Sequence, residues 1–185
     1  MIRHRRLLGR LLLLLGLLSL PGMAGAQEQY NYSVGLLGGI GGSVDADPGD
    51  SLGNTGYQLN LNMVTEPRTL LGLRAGQMAL DDDGLFGSLT EAELSYVTVS
   101  GEYRFRQSFY DSGFYLGLGG YRLEGTAFSG GDGEQTSVGA VVGATGDFPI
   151  NNWLGVMVEF SGHYVVDFDD AQFFVMGHGG LAIRF

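Results

Sequence analysis

Eight segments of the chain place an apolar side chain at every second position, with polar or small residues between. Residues 57–63 read YQLNLNM, for example, and residues 154–160 read LGVMVEF. A two-residue period is typical of strands whose two faces meet different surroundings. In the sixth segment both faces are apolar or small, so the pattern leaves its register open. We expect one shared apolar face, made of Tyr30, Tyr32, Val34 and Leu36; Tyr57, Leu59, Leu61 and Met63; Leu71, Leu73 and Ala75; Val97, Val99, Tyr103 and Phe105; Phe114, Leu116 and Leu118; Val138, Ala140, Val142 and Ala144; Leu154, Val156, Val158 and Phe160; Val175, Leu181, Ile183 and Phe185.

The amino terminus has the three parts of a secretory signal peptide. A basic start around Arg3 precedes an apolar run from Leu11 to Leu20, and a small-residue cleavage site ends at Ala26. We therefore expect a signal peptide at residues 1–26, removed on export, and a mature barrel domain at residues 27–185.

No later segment reaches the ~20 consecutive apolar residues that a membrane-spanning helix needs. Within a bilayer every backbone polar group must be satisfied internally, which leaves a closed barrel as the alternative to helices. We predict an all-β fold, an eight-stranded antiparallel transmembrane up-and-down β-barrel following a cleaved signal peptide. A soluble lipocalin-like barrel is the competing fold, but it would place its apolar side chains inside.

The charge composition excludes one large class of function. The chain has no lysine, and four of its ten arginines lie in the predicted signal peptide, which leaves six against 20 acidic residues. Nucleic-acid binding requires clustered positive charge and is not expected. Cysteine is absent, so disulfides and thiolate metal sites are not expected either.

The connections between the predicted strands alternate in character. Short turns follow the second, fourth and sixth strands, at residues 66–68, 108–112 and 149–152, and the other connections are mostly longer and acidic. Bacterial barrels have short periplasmic turns and longer extracellular loops. We therefore expect these acids in extracellular loops: Asp45, Asp47, Asp50; Asp81, Asp82, Asp83, Glu91, Glu93; Glu124, Asp132, Glu134; Asp167, Asp169 and Asp170.

The acidic segments do not predict a metal site. The spacing from Asp45 to Asp50 and the run from Asp81 to Gly84 both lack the calcium-loop motif with its distal Glu. We expect solvated loops, with no metal and no cofactor.

The strand ends at Glu102-Tyr103-Arg104-Phe105 and Leu181-Ala182-Ile183-Arg184-Phe185, with the strand count and loop asymmetry, resemble the small outer-membrane β-barrel family. That family includes the OmpA transmembrane domain, OmpX and the opacity-like porins. The resemblance implies a protein of the Gram-negative outer membrane, in contact with outer-membrane lipids and lipopolysaccharide, and monomeric. It also implies that Leu181, Ile183 and Phe185 form the membrane-assembly signature read by the barrel-assembly machinery. No further domain is expected beyond the barrel.

The expected inward positions carry charge. Unpaired charges would be costly to bury, so we expect ion pairs across the interior. Glu159 is expected opposite His178, because a loop centred near residues 168 and 169 sets that register. The expected lumen network consists of Arg74, Glu102, Arg104, Glu159, His178 and Arg184.

Glu159, Ser161 and His163 share one strand face and contain the groups of a hydrolase triad. They resemble the residues used by outer-membrane lipid A deacylases, but their order and spacing differ, and they are expected inside, away from lipid. We therefore expect a polar core network and no enzyme. The leading function is structural or surface-interacting; the alternatives are a narrow porin-like transport channel and, third, a lipid-modifying hydrolase. An aromatic girdle is expected near the periplasmic strand ends: Tyr30, Tyr32, Tyr103, Phe105, Phe114, Trp153 and Phe185.

Overall fold

The chain folds into one closed antiparallel barrel in which each strand pairs with its sequence neighbours and the last strand pairs with the first. The computed structural model describes residues 30–44, 54–80, 89–127, 132–168 and 171–185. In that part of the chain, no helix is long and apolar enough to cross a membrane. The strands are β1 (Tyr32–Ser43), β2 (Asn54–Glu66), β3 (Thr69–Ala79), β4 (Leu89–Arg106), β5 (Asp111–Ala127), β6 (Asp132–Pro149), β7 (Leu154–Val165) and β8 (Phe173–Arg184).

The barrel carries apolar side chains on its outer face and polar or charged side chains inside, the reverse of a soluble protein. On β5, Leu116 is 68% exposed, whereas the adjacent Tyr115 is 2% exposed and lies inside. On β7, Phe160 is 64% exposed, between the buried Glu159 and Ser161. This alternation confirms the predicted apolar outer face in all eight strands, including β6, with a single exception, Tyr30.

Tyr30 lies inside the barrel mouth, where the sequence pattern placed it outside. It precedes β1, and the amides of both Asn31 and Tyr32 donate to the carbonyl oxygen of Phe185. Two successive donors to one acceptor interrupt the ladder, so the alternation of β1 does not extend to Tyr30. Its hydroxyl instead contacts Arg104 and Asp147.

Three strands are longer than the sequence pattern indicated. β4, β5 and β6 have 18, 17 and 18 residues, and they include Glu93, Glu124 and Glu134, which the sequence placed in loops. These acids lie at paired positions in the ladder, Glu93 opposite Glu124 and Glu124 opposite Glu134. Arg122 forms ion pairs with Glu124 and Glu134, and Glu93 accepts a hydrogen bond from the amide of Gln77. Glu91 and Asp132 also lie within strands.

The ends of the barrel differ. The turn end carries the connections at residues 67–68, 107–110 and 150–153, whose bounds agree with the predicted turns to within two residues. In the third connection, the side chain of Asn151 accepts hydrogen bonds from the amides of Trp153 and Leu154. The loop end carries the connections at 44–53, 80–88, 128–131 and 166–172. Most acids predicted there, and the predicted signal peptide, lie outside the described residues: Asp45, Asp47, Asp50, Asp81, Asp82, Asp83, Asp169 and Asp170.

The interior is filled in layers. Charged and amide side chains occupy the turn end and the middle, and an apolar cluster closes the loop end. Eight strands enclose a space just wide enough to be filled by side chains, as is the case here. The apolar cluster consists of Met78, Leu80, Ala92, Leu94, Tyr96, Tyr121, Leu123, Val165, Phe168, Ala171, Phe174 and Met176.

Candidate functional site

The barrel interior contains a continuous chain of alternating charges. Arg104 contacts Glu102 (Nε–Oε1, 2.8 Å) and Asp147 (Nη1–Oδ2, 3.2 Å). Arg74 contacts Glu102 (Nη2–Oε2, 3.2 Å) and Glu159 (Nε–Oε2, 3.0 Å). Arg184 pairs with the second oxygen of Asp147. The resulting sequence of contacts is Arg184, Asp147, Arg104, Glu102, Arg74 and Glu159.

The charges in this chain balance. Three guanidinium groups meet three carboxylates, and each of the six residues is at most 5% exposed. Burial of a single ion is costly, whereas a closed set of pairs with further hydrogen bonds offsets most of that cost. These six residues are therefore neutral as a set, and Asp111 of β5, at 5% exposure, adds a further carboxylate to the interior.

Glu159 has the most partners in the chain. Besides Arg74, its carboxylate accepts hydrogen bonds from Gln58 (2.9 Å), Asn60 (3.2 Å) and Tyr115 (2.8 Å). These donors come from β2 and β5, so a single carboxylate on β7 joins opposite sides of the barrel. Such a group is fully occupied and has no free lone pair for a substrate.

Arg74 sits at the centre of the interior. Its guanidinium carbon lies 3.7 Å from the centroid of the Tyr115 ring, and a further nitrogen donates to Ser100. The cation is thus held by two carboxylates, a hydroxyl and an aromatic face. Arg74 is 0% exposed and obstructs the passage at mid-height.

Asp147 and Tyr30 join the network at the turn end, although the sequence did not predict either. Asp147 lies on the inward face of β6, in the phase that continues from Val141. The predicted apolar series of this strand ends at Ala144, so the sequence pattern did not place Asp147, two residues before Pro149, on the inward face. Burial raises the pKa of the Tyr30 hydroxyl, which keeps it a neutral hydrogen-bond partner for Arg104 and Asp147.

His178 was expected to pair with Glu159. The predicted register is observed, with Glu159 opposite His178 and Ser161 opposite Met176. The carboxylate nevertheless turns toward Arg74, and no ion pair joins Glu159 to His178 among the residues that the structure describes. His178 is 6% exposed, and its Nδ1 atom has no hydrogen-bond partner there.

The candidate triad is not assembled. His163 contacts Ser161 (Nε2–Oγ, 3.0 Å), but its other nitrogen contacts the hydroxyl of Tyr121 (3.0 Å) and not Glu159. A triad requires a carboxylate behind the imidazole to orient and stabilise it. Ser161 and His163 are also enclosed, at 0% and 2% exposure. The geometry supports a polar packing contact.

Inward glycines make room for the large core side chains. Gly143 lies directly opposite Tyr115, and a Cβ added at Gly143 would lie 2.4–2.5 Å from the Tyr115 ring and hydroxyl. Gly76 lies opposite Tyr96 in the same way, with 2.4 Å to its hydroxyl. Each aromatic ring thus crosses a neighbouring strand at a residue that has no side chain. This pairing of inward Gly with inward Tyr was a usable sequence signal that the alternation alone did not reveal.

The carboxyl-terminal strand presents its alternate residues outward. Leu181, Ile183 and Phe185 are 53%, 50% and 66% exposed, and Phe185 packs against Tyr32 of β1 with ring centroids 6.1 Å apart. Further exposed aromatics surround the turn end in the predicted girdle, namely Tyr103, Phe105, Phe114 and Trp153, joined by Phe109 and Phe148.

Comparison with known proteins gives matches in structure and none in sequence. None of the protein-family models matches the chain, and no curated protein matches it significantly. Neisserial surface protein A matches with a TM-score of 0.67 and 13% identity, over 83% of this chain and 97% of its own. The outer membrane protein OprG from Pseudomonas aeruginosa matches with a TM-score of 0.58 and 12% identity, over 89% and 99%. Ail, the attachment invasion locus protein of Yersinia pestis, matches with a TM-score of 0.56 and 16% identity, over 84% and 97%. The chain therefore has the fold of the small eight-stranded outer-membrane barrels.

Proposed function

We propose that this chain is an integral protein of the Gram-negative outer membrane, in which a filled barrel anchors acidic surface segments. The observation that carries the proposal is the inverted distribution of side chains. Leu36, Leu116 and Phe160 are 65%, 68% and 64% exposed on the outside, whereas Arg74, Glu102 and Glu159 are 0%, 1% and 4% exposed inside. In water that arrangement would leave a large apolar surface exposed, and in a bilayer it is the stable one.

The asymmetry of the two ends supports an orientation. The turn end, with its two- and four-residue connections, faces the periplasm, and the loop end faces outward. The signal peptide at residues 1–26 directs export, and the mature domain comprises residues 27–185. The outward-facing Leu181, Ile183 and Phe185 are the proposed assembly signature for the barrel-assembly machinery.

The filled interior favours a structural or surface-interaction role over transport. A solute would have to displace the Arg74 layer and then cross the apolar cluster, where Leu94 and Leu123 are both 0% exposed. Aqueous porins use 16 or more strands to leave an open channel. We assign no catalytic residue and no cofactor, and we propose that the protein is a monomer in contact with outer-membrane lipids and lipopolysaccharide.

Membrane insertion and orientation can be tested together. Purified protein refolded into lipid vesicles is expected to migrate as a compact form on a gel without boiling, and as a slower form after boiling. In cells, an epitope inserted at residues 128–131 should be labelled from outside, and the same epitope at residues 107–110 should not. Folding without lipid or detergent, or the reverse labelling, would contradict the proposal.

A further inference from the structure

The β6 strand has a free edge at the loop end of the barrel. It begins at Asp132 and pairs with β5 from that residue onward, whereas its pairing with β7 begins only at Gly139. One further hydrogen bond, from the amide of Val166 to the carbonyl oxygen of Val138, ends the backbone contact with β7. Among the residues that the structure describes, residues 132–136 therefore have a strand partner on one side only.

The backbone groups along this edge point toward the missing neighbour. In an antiparallel sheet, the N–H and C=O groups of alternate residues point to opposite neighbours. The carbonyl group of Val138 points toward β7, so the backbone groups of Thr136, Glu134 and Asp132 point the same way. No register shift interrupts the ladder with β5 that supports them. The edge is thus a regular row of donors and acceptors, roughly 17 Å long at ~3.4 Å per residue.

The described part of the connection from β7 to β8 turns away from this edge. Asp167 adopts a φ of 58°, in the left-handed region, so the chain leaves the strand conformation there. The next side chain, Phe168, is 2% exposed and packs against Phe174 in the apolar cluster. The connection thus caps the interior, and none of its described residues pairs with residues 132–136.

The free edge lies beyond the apolar band of the outer face. Val138 is the last outward apolar side chain of β6 and is 68% exposed, whereas the next outward residues, Thr136 and Glu134, are polar and exposed. In the proposed orientation, the edge therefore begins where the hydrocarbon layer ends and projects on the cell-surface side. Its backbone groups can exchange water for a partner there, whereas the bilayer core would not satisfy them.

The loop end has an excess of negative charge. Three of the six arginines after residue 26 lie inside the barrel, and Arg68 and Arg106 lie at the turn end. Arg122 is the remaining one, and it is already paired with Glu124 and Glu134. The four connections at this end add further acids and no lysine or arginine. The resulting field repels a second copy of the chain and attracts a cationic segment without displacing any ion pair.

We propose that the free edge of β6 at residues 132–136 binds an extended, basic peptide segment of a partner protein, which adds to the sheet as a further strand. Hydrogen bonds to the backbone of Asp132, Glu134 and Thr136 hold the segment, and the negative field of the loop end selects basic sequences. Proline, a bulge or a covering element usually blocks such an edge, and the described residues provide none of these along 132–136. The inference rests on the proposed surface orientation and adds a partner class and a binding edge to it.

Synthetic peptides test the binding mode. The probe is a short end-blocked peptide of alternating lysine and threonine, added to the protein folded in lipid nanodiscs and measured by isothermal titration calorimetry. Two controls are the same peptide with glutamate in place of lysine, and the lysine peptide with every backbone amide N-methylated. The lysine peptide is expected to bind at least about tenfold more tightly than either control, because one control loses the charge attraction and the other loses its donors. Equal binding of the N-methylated peptide would overturn the proposal, because charge alone would then hold it.

Hydrogen exchange followed by NMR locates the peptide on the barrel. In the free protein the amides of Glu134 and Thr136 should exchange rapidly, whereas those of Gln135 and Ser137, which point toward β5, should be protected. The lysine peptide should slow the exchange of the Glu134 and Thr136 amides by about tenfold. Edge amides that are already slow in the free protein, or protection by the peptide only elsewhere, would contradict the site.

A variant with a matched control blocks the edge itself. The N–H of Thr136 points away from β5, so Thr136→Pro removes a donor from the edge and none from the ladder. It should weaken binding of the lysine peptide about tenfold, whereas Thr136→Val keeps the N–H and should bind as the wild type does. If Thr136→Pro does not fold, the exchange measurement on the wild type still decides. A folded Thr136→Pro with unchanged binding would contradict the edge site, whereas failure of the wild type to fold into vesicles would contradict the membrane proposal instead.

Discussion

Glu159 joins opposite sides of the barrel interior through four partners, and its charge is what holds Arg74 in place. In Glu159→Gln, the Arg74 guanidinium keeps only Glu102 as a counter-ion, in a layer that water does not reach. We expect a loss of about 3 kcal/mol in the free energy of unfolding, the cost of removing one partner of a buried pair. Urea unfolding in lipid vesicles measures it. Ser161→Ala removes one neutral hydrogen bond to His163 and should cost about 1 kcal/mol or less; equal losses would argue against a special role for Glu159.

The two candidate partners of Glu159 can be distinguished by double-mutant cycles. Arg74 lies 3.0 Å from its carboxylate, whereas His178 faces it in register but makes no ion pair with it. We expect a coupling free energy of about 2 kcal/mol for Glu159 with Arg74, and less than about 0.5 kcal/mol for Glu159 with His178. The reverse order would indicate that the carboxylate turns toward the imidazole.

The packing of Tyr115 requires that residue 143 has no side chain. A methyl group there would overlap the Tyr115 ring, whose hydroxyl donates to Glu159. Gly143→Ala should therefore destabilise the barrel by about 1–3 kcal/mol through overpacking. Gly162 is the control, since an added Cβ at that position meets nothing within 4 Å. Comparable stability of the two variants in urea unfolding would show that Tyr115 moves aside at little cost.

The strands are the scale at which the sequence was most informative. Alternation predicted that the side chains of Leu116 and Val156 point outward, because shifting the pairing register of a strand by one residue would turn all its apolar side chains inward. It did not predict how far β4, β5 and β6 extend, because the pairing of Glu93, Glu124 and Glu134 with one another depends on cross-strand geometry. Tyr30 was misplaced for a related reason: it lies beyond the ladder that imposes the alternation.

Outward positions on one strand pair should tolerate charge according to their depth. Leu116 is central on β5, so Leu116→Arg should cost about 2–4 kcal/mol at the bilayer midplane. Thr136 on β6 is exposed and lies opposite Arg122, closer to the loop end than the apolar band, so Thr136→Arg should cost about 0–1 kcal/mol. Folding titrations in vesicles measure both. Equal costs would mean that the apolar band does not mark the hydrocarbon layer.

The barrel interior combines two layers, one charged and one apolar, and together they decide whether solutes pass. The turn end and middle hold the balanced chain from Arg184 to Glu159, and the apolar cluster around Leu123 closes the loop end. The sequence predicted the charged layer from inward Arg and Glu residues, but it did not separate the apolar cluster from it. That separation follows from the extension of β4 and β5, which carry Leu94 and Leu123 above the charged layer.

Because the two layers block the interior independently, removing one should not open it. Wild-type protein in planar bilayers is expected to show no steady large conductance. Leu123→Ala should cost about 2–5 kcal/mol in stability by leaving a cavity in the apolar cluster, yet remain non-conducting, since Arg74 with its two carboxylates still fills the middle. Steady conductance in the wild type would favour the transport alternative over the structural role. Conductance in Leu123→Ala alone would instead assign the barrier to the apolar cluster and leave the charged layer as a permeable lining.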